Sequence, residues 1–196
     1  MGELTSYSLS DFILFSDKVY YRQFELYNHA DWPLHLIAII FSLVIIYTFW
    51  KKPAAAWSGW LIAVLLSLSW LWVAWAFLYA RFYQIHVVAN WYALGFVLQA
   101  GLITWYGVIK NQFRFTGESG ARINVGLGLL FISLIIYPFI ALMTGRNWLQ
   151  FEMFFLAPDP TALATIAILV LYKAYSMLYV IPITWLLISG VTLIVM

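Results

Sequence analysis

Residues 161–196 read TALATIAILVLYKAYSMLYVIPITWLLISGVTLIVM, with Lys173 as the single charge among them. The hydrocarbon core of a bilayer is about 30 Å thick and takes about 20 apolar residues of helix to cross. This stretch exceeds one span and falls short of two comfortable ones. Pro182 removes a backbone donor and would break one long tilted helix. The stretch therefore reads as two helices, the first short, with the turn between them at 173–176.

Working back toward the N-terminus, the same reading gives apolar runs at 123–143, 87–109, 57–79 and 33–50. The breaks between them carry the charges: Lys51-Lys52-Pro53, Arg81, a loop with Lys110, Arg114 and Arg122, and a polar stretch with Arg146, Glu152 and Pro158-Asp159-Pro160. Ahead of the first run, 10–28 places Asp11, Lys18, Arg22 and Glu25 on one side of a helix and Phe12, Phe15, Val19, Tyr20, Leu26 and Tyr27 on the other. Such a segment is too polar to span, and it either lies in the interface or packs over the ends of the bundle. Asp31-Trp32-Pro33 then starts the first span, with Pro suited to a first turn and Asp31 offering an oxygen to free N–H groups. The expected fold is all-α, a polytopic membrane helical bundle of about six transmembrane helices (33–196) preceded by an amphipathic interfacial segment (1–32).

Composition excludes several classes. Hydrophobic residues make up 65 % of the chain and charged ones 9 %, which rules out a water-soluble fold. Aromatic residues fall at the ends of the apolar runs, where amphipathic rings favour the headgroup level of the bilayer. A net charge of +2, with scattered Lys and Arg, is no nucleic-acid footprint. The absence of Cys removes disulfides, thiolate nucleophiles and Cys-ligated metal sites together. Glu3, Asp11, Asp17, Glu25 and Asp31 interrupt any signal-peptide core, so Met1 is expected to begin the mature protein. Six spans put Lys18, Arg22, Arg81 and Arg146 on one side and Lys51, Lys52, Lys110, Arg114, Arg122 and Lys173 on the other. The positive-inside rule then places both termini outside, in the periplasm of a Gram-negative host, with the bundle in the bacterial inner membrane.

Ionisable groups at membrane depth are the functional suspects, because each is costly unless paired or hydrated. His35 lies just inside the first span, Asn90 and Gln99 lie in the third, and Lys173 is near enough to an end to snorkel. His29, His35 and His86 share the outer side with Glu25, Asp31, Arg81, Glu152 and Asp159, a donor set that would suit a metal. His29 and His35 are six apart and do not share a helix face, so the reading is a network of hydrogen-bonded interfacial side chains without a metal. No Ser–His–Asp order, phosphate-cradling loop or pair of intramembrane carboxylates can be assigned. Neither catalysis nor a cofactor is expected. Gly95, Gly101, Gly107, Gly126 and Gly128 read as positions of close helix approach.

Phe24-Glu25-Leu26-Tyr27-Asn28 followed by Trp32-Pro33, Trp70-Leu71-Trp72, Ile85 through Gly95-Phe96 to Gln99, Pro158-Asp159-Pro160-Thr161, and Trp185 leading to Ser189-Gly190 occur in an ordered series. With them the chain resembles a family of bacterial multi-pass membrane proteins known only as a domain of unknown function, some loosely labelled permeases. The resemblance covers nearly the whole chain and implies a compact helical bundle without an established activity. His35 stands where that family leads one to expect Gln, and His86-Val87 where it leads one to expect Asn-Pro. The resemblance therefore directs attention from the histidines to Glu25, Asn28, Trp32, Gln99 and Asp159.

The leading expectation is a non-catalytic subunit that stabilises or assembles a larger inner-membrane complex, docking other membrane subunits, or copies of itself, through Phe12, Phe15 and Val19. The alternative is a small permease or channel, with a pathway at Gln99 and a vestibule of Glu25, His35, Arg81 and Asp159. A third is a receptor for a small hydrophobic ligand, held in a cavity beside Trp70, Trp72 or Trp75. A dry bundle would favour the first, and a wet cavity at Gln99 the second.

Overall fold

The computed structural model describes residues 15–51, 54–115 and 120–196, which form helices and no strand. Helix α1 (Asp17–Ala30) precedes α2 (Leu34–Lys51). Helix α3 (Ala56–Trp72) runs on through a wide π-turned segment (Val73–Tyr79), and α4 (Ala89–Ile103) through another (Thr104–Ile109). Helix α5 (Gly120–Phe131) passes through a third (Ile132–Ile136) into α6 (Tyr137–Met143), before α7 (Pro158–Tyr172) and α8 (Val180–Val195).

Five helical runs are long and apolar enough to cross a membrane: Leu34–Lys51, Trp57–Gln84, Ala89–Ile109, Gly120–Met143 and Ser176–Val195. The sixth expected span is α7. Its 15 residues extend about 22 Å, less than a hydrocarbon core. All of α7 is buried except Leu163, Ile166 and Val170. Thr161, Ala162, Ala164, Thr165 and Ala167 are small enough to let neighbouring helices close on every side of it. The two-helix reading of 161–196 agrees with the structure. The turn is made by Lys173 in the left-handed region (φ 50°), and Pro182 sits in the first turn of α8, where its missing N–H costs nothing.

Around α7 the other inner helix is α3, which is 67 % buried across its span while the other four runs are 22–33 % buried. Trp70 of α3 is wholly buried against Phe96, and its Nε1 donates to Thr165 Oγ1 at 2.8 Å. Most hydroxyls in the long helices turn back on their own backbone. Ser42, Thr48, Ser67, Ser69, Thr104 and Thr192 each donate to the carbonyl four residues earlier.

Helix α1 lies across one end of the bundle. Tyr20, Gln23, Phe24, Tyr27 and Asn28 are buried, with Phe24 stacked 4.5 Å from Phe77 and Tyr27 accepting from Trp72 Nε1 at 2.7 Å. Val19 and Leu26, placed by the sequence on the apolar side with Tyr20 and Tyr27, are exposed. The buried face is rotated because Gln23 and Asn28 turn inward, and Asn28 does so toward backbone carbonyls. Phe12 of the expected docking face lies outside the described residues. Phe15 packs on its own bundle, against Tyr20, Phe82 and His86, which leaves Val19 as the exposed member of that face.

Two of the five singled-out glycines are close-approach positions. A Cβ on Gly107 would meet Ala63 at 2.3 Å, and one on Gly126 would meet Leu171 at 2.6 Å. Gly95, Gly101 and Gly128 face open space. Gly59, not singled out, is tighter still, because its Cβ would fall 1.7 Å from the Phe113 carbonyl oxygen. Gly59→Ala is expected to lower stability by about 1–3 kcal/mol through forced backbone displacement. Gly128→Ala, the same change in open space, is expected not to lower it. Thermal unfolding of the two variants in detergent, side by side, checks both.

Candidate functional site

Asn28 organises the α1 end of the bundle. Its Nδ2 donates to the Leu149 carbonyl at 2.7 Å and the Phe151 carbonyl at 2.8 Å, which fixes the amide so that Oδ1 faces His35 Nε2 at 3.2 Å. His35 Nδ1 donates to the Trp32 carbonyl at 2.8 Å. With Nδ1 donating, the contact to Asn28 is a hydrogen bond only while Nε2 also carries a proton. Glu25 pairs with Arg22 and accepts weakly from Gln150 at 3.4 Å. Asp31 caps less than expected. Its carboxylate turns to Arg81 at 3.9 Å, a half-exposed contact that contributes little.

Asp159 is the most demanding polar group in the site. It is buried at the start of α7, and its carboxyl meets three neutral donors: Trp185 Nε1 at 2.7 Å on Oδ1, and Ser189 Oγ at 2.6 Å and Tyr137 OH at 3.1 Å on Oδ2. Trp185 and Ser189 are four apart on α8 and so share one face of it. Ser133 donates to the Pro160 carbonyl at 2.6 Å, tying the π-turned segment after α5 to the same corner.

Beside it stands a second buried acid. Glu152 accepts from Arg146 Nη1 at 3.0 Å, with both side chains largely withdrawn from solvent, and the guanidinium lies 4.1 Å over the Tyr21 ring. Burial, with Asp159 adding to it, pushes the Glu152 carboxyl up to about 7, against the pull of Arg146. Two buried carboxyls and one guanidinium of the same polar stretch therefore share this corner.

With this corner described, the family is decided by a match to residues 17–196. The chain belongs to DUF6064, a family of unknown function. No curated protein and no solved structure matches it.

In this DUF6064 chain the six singled-out polar residues fall into separate settings. Asn28 and His35 touch, Glu25 reaches the same loop through Gln150, and Arg81 pairs with Asp31. Asp159 has no hydrogen bond or ion pair to any of these among the described residues. Gln99 is fully buried, and its Nε2 donates to the Leu178 carbonyl at 2.9 Å, bracing α4 against the turn before α8. Asn90 is exposed at the start of α4. Sequence reasoning left out Tyr137, Arg146, Trp185 and Ser189 as partners. The signal for the last two was their i, i+4 spacing on an otherwise apolar helix.

Asn28→Leu would remove three contacts and leave two carbonyls bare, so it is expected to cost about 1–3 kcal/mol. Amide hydrogen exchange should then rise selectively at 149–151. Glu152 holds in the folded state a proton that the unfolded chain, near 4.5, releases. Its contribution therefore favours folding less as pH rises from the unfolded value through about 7. The melting temperature is expected to fall over that window, and Glu152→Gln to flatten the slope.

Proposed function

We propose that this protein is a non-catalytic, multi-pass subunit of a larger bacterial inner-membrane complex. Its role is to assemble or stabilise that complex. The observation that carries this reading is an apolar groove of about 360 Å³ between α2 and the α5 run, lined by Ile46, Phe49, Leu127, Leu130, Phe131 and Leu134 among others. An apolar slot of this kind between two long helices leaves packing surface for an apolar occupant. The occupant we assign is a transmembrane helix of another subunit, whose side chains fill such a slot by van der Waals packing.

The interior supports the same reading. None of the described cavities is lined by Gln99, and the Ser67 and Thr104 hydroxyls bond to carbonyls of their own helices. Trp70, proposed as a ligand wall, is packed solid, and Trp72 and Trp75 line none of the described cavities. For orientation, Asp17, Glu25, Asp31, Glu152 and Asp159 gather at the α1 end. Lys110, Arg114 and Lys173 line a polar hollow with Tyr172, in the loops between the spans away from α1. The positive-inside rule puts that basic end in the cytoplasm and α1 on the periplasmic side.

Extracted from its native membrane in mild detergent, the chain is expected in a particle with stoichiometric foreign subunits. Leu127→Ser combined with Phe131→Ser should release it while circular dichroism stays fully helical. A chain that runs alone, or with copies of itself, would overturn the subunit reading and shift it to a small-solute permease.

A further inference from the structure

A small chamber of about 30 Å³, room for one water, lies against residues that hold the Asp159 carboxyl, which does not itself line it. Its floor is Trp185 and Ser189, the two α8 residues that donate to the Asp159 carboxyl. Tyr20, Phe82 and the half-buried His86 line it from the α1 end. Tyr20 is 5 % exposed and lines the chamber. Tyr20, Ser189 and Thr192 each bring a hydroxyl to the residues lining the chamber, polar partners of the kind a lodged water needs.

The charges around the chamber do not balance. Glu152 and Asp159 are both buried, and of the two acids Arg146 bonds only Glu152, its Nε donating to Thr144 Oγ1 at 3.0 Å. The groups facing the pair from the packed elements are Tyr20 and Tyr21 of α1, Tyr137 of α6, Arg146 in the loop, His86, and Tyr92 of α4. Helix α8 contributes no ionisable group there. Tyr20 stays neutral because burial pushes its hydroxyl well up, and burial holds the His86 ring below its usual value. The N-terminus of α7 adds only about half a positive charge. Leaving a second full negative charge in this setting costs several kcal/mol, and one proton removes it.

We propose that Asp159, together with Glu152, forms a binding site for one exchangeable proton, which enters from the α1 end through the single-water chamber between His86 and Ser189. On uptake, an O–H bond of an outer hydronium breaks as its proton passes to the chamber water, that water gives up one of its protons to Ser189 Oγ, and the Ser189 hydroxyl proton passes to Asp159 Oδ2, where the new O–H bond forms. Release reverses the steps, and no other reactant is required. The site is independent of whether the chain docks a partner.

The test is difference infrared spectroscopy of the purified full chain in lipid nanodiscs, following the C=O band of protonated carboxyl between about pH 5 and pH 9. One carboxyl per chain is expected to lose its proton in that range. Asp159→Asn is expected to abolish the neutral titration, because Glu152 then answers Arg146 alone. Arg146→Gln is expected to double the protonated carboxyl. A wild-type chain with no carboxyl titrating in that range overturns the proposal without any variant, as does an Asp159→Asn chain that keeps the band with an unchanged midpoint. Thr192→Leu fills the chamber at a position outside the carboxyl's own contacts. It should slow hydrogen–deuterium exchange of the band several-fold, and an unchanged rate overturns the chamber as the route.

Discussion

A polar group that ends inside an apolar bundle must find its partner there, and α7 ends inside. The helix is too short to cross a bilayer and is enclosed on nearly every face, so its first turn opens into protein and not into water or headgroups. Pro158 and Pro160 reduce the demand, since neither carries an N–H. Thr161 meets part of what remains, accepting from the Phe155 amide at 3.1 Å and donating to the Ala157 carbonyl at 2.7 Å. Ser133 supplies the Pro160 carbonyl from across the bundle. The folding of α5, α8 and the loop before α7 around this corner is a consequence of that demand.

The same constraint accounts for the position of α1. Residues 147–151 descend from α6 to the buried start of α7 through a single 3-10 turn at Trp148–Gln150, too short to use the carbonyls at Leu149 and Phe151. Asn28 takes both, which is why the buried face of α1 includes amides and why its apolar pattern alone misplaced that face by part of a turn. Arg146 and Glu152 then sit under α1, shielded by Tyr21, as a charge pair that water reaches poorly.

Those relations mark the limit of what sequence alone could show. Length and apolarity located five long helices, and Lys173 and Pro182 placed the last turn, because each rests on local covalent facts. The inward position of α7 was not legible. Its composition is that of any short apolar helix, and only the run of Thr and Ala at 161–167 hinted that neighbours come close. Gly126 could be read as a contact while Gly128 could not be told from it, since two positions along a helix point in different directions. Gln99 attracted attention as an amide at depth, and its partner proved to be a backbone carbonyl at the end of a distant turn.

Asp159 is harder to explain by packing. Apolar side chains of similar volume at 137, 159, 185 and 189 would fill this corner without desolvating a carboxyl, and such replacements of buried charge are often neutral or stabilising. Hydrogen bonding by itself is also a weak reason, because Asn at 159 could accept from Trp185 through its oxygen and donate to the two hydroxyls through its NH2 without bringing charge. What a carboxyl offers over both is a second protonation state within the same contacts: Ser189 and Tyr137 hydroxyls can donate to it when ionised and accept from it when protonated. Trp185, which only donates, meanwhile holds the other oxygen in place. The arrangement keeps its geometry while its charge changes, which serves the exchange of a proton and has no use in a merely structural joint.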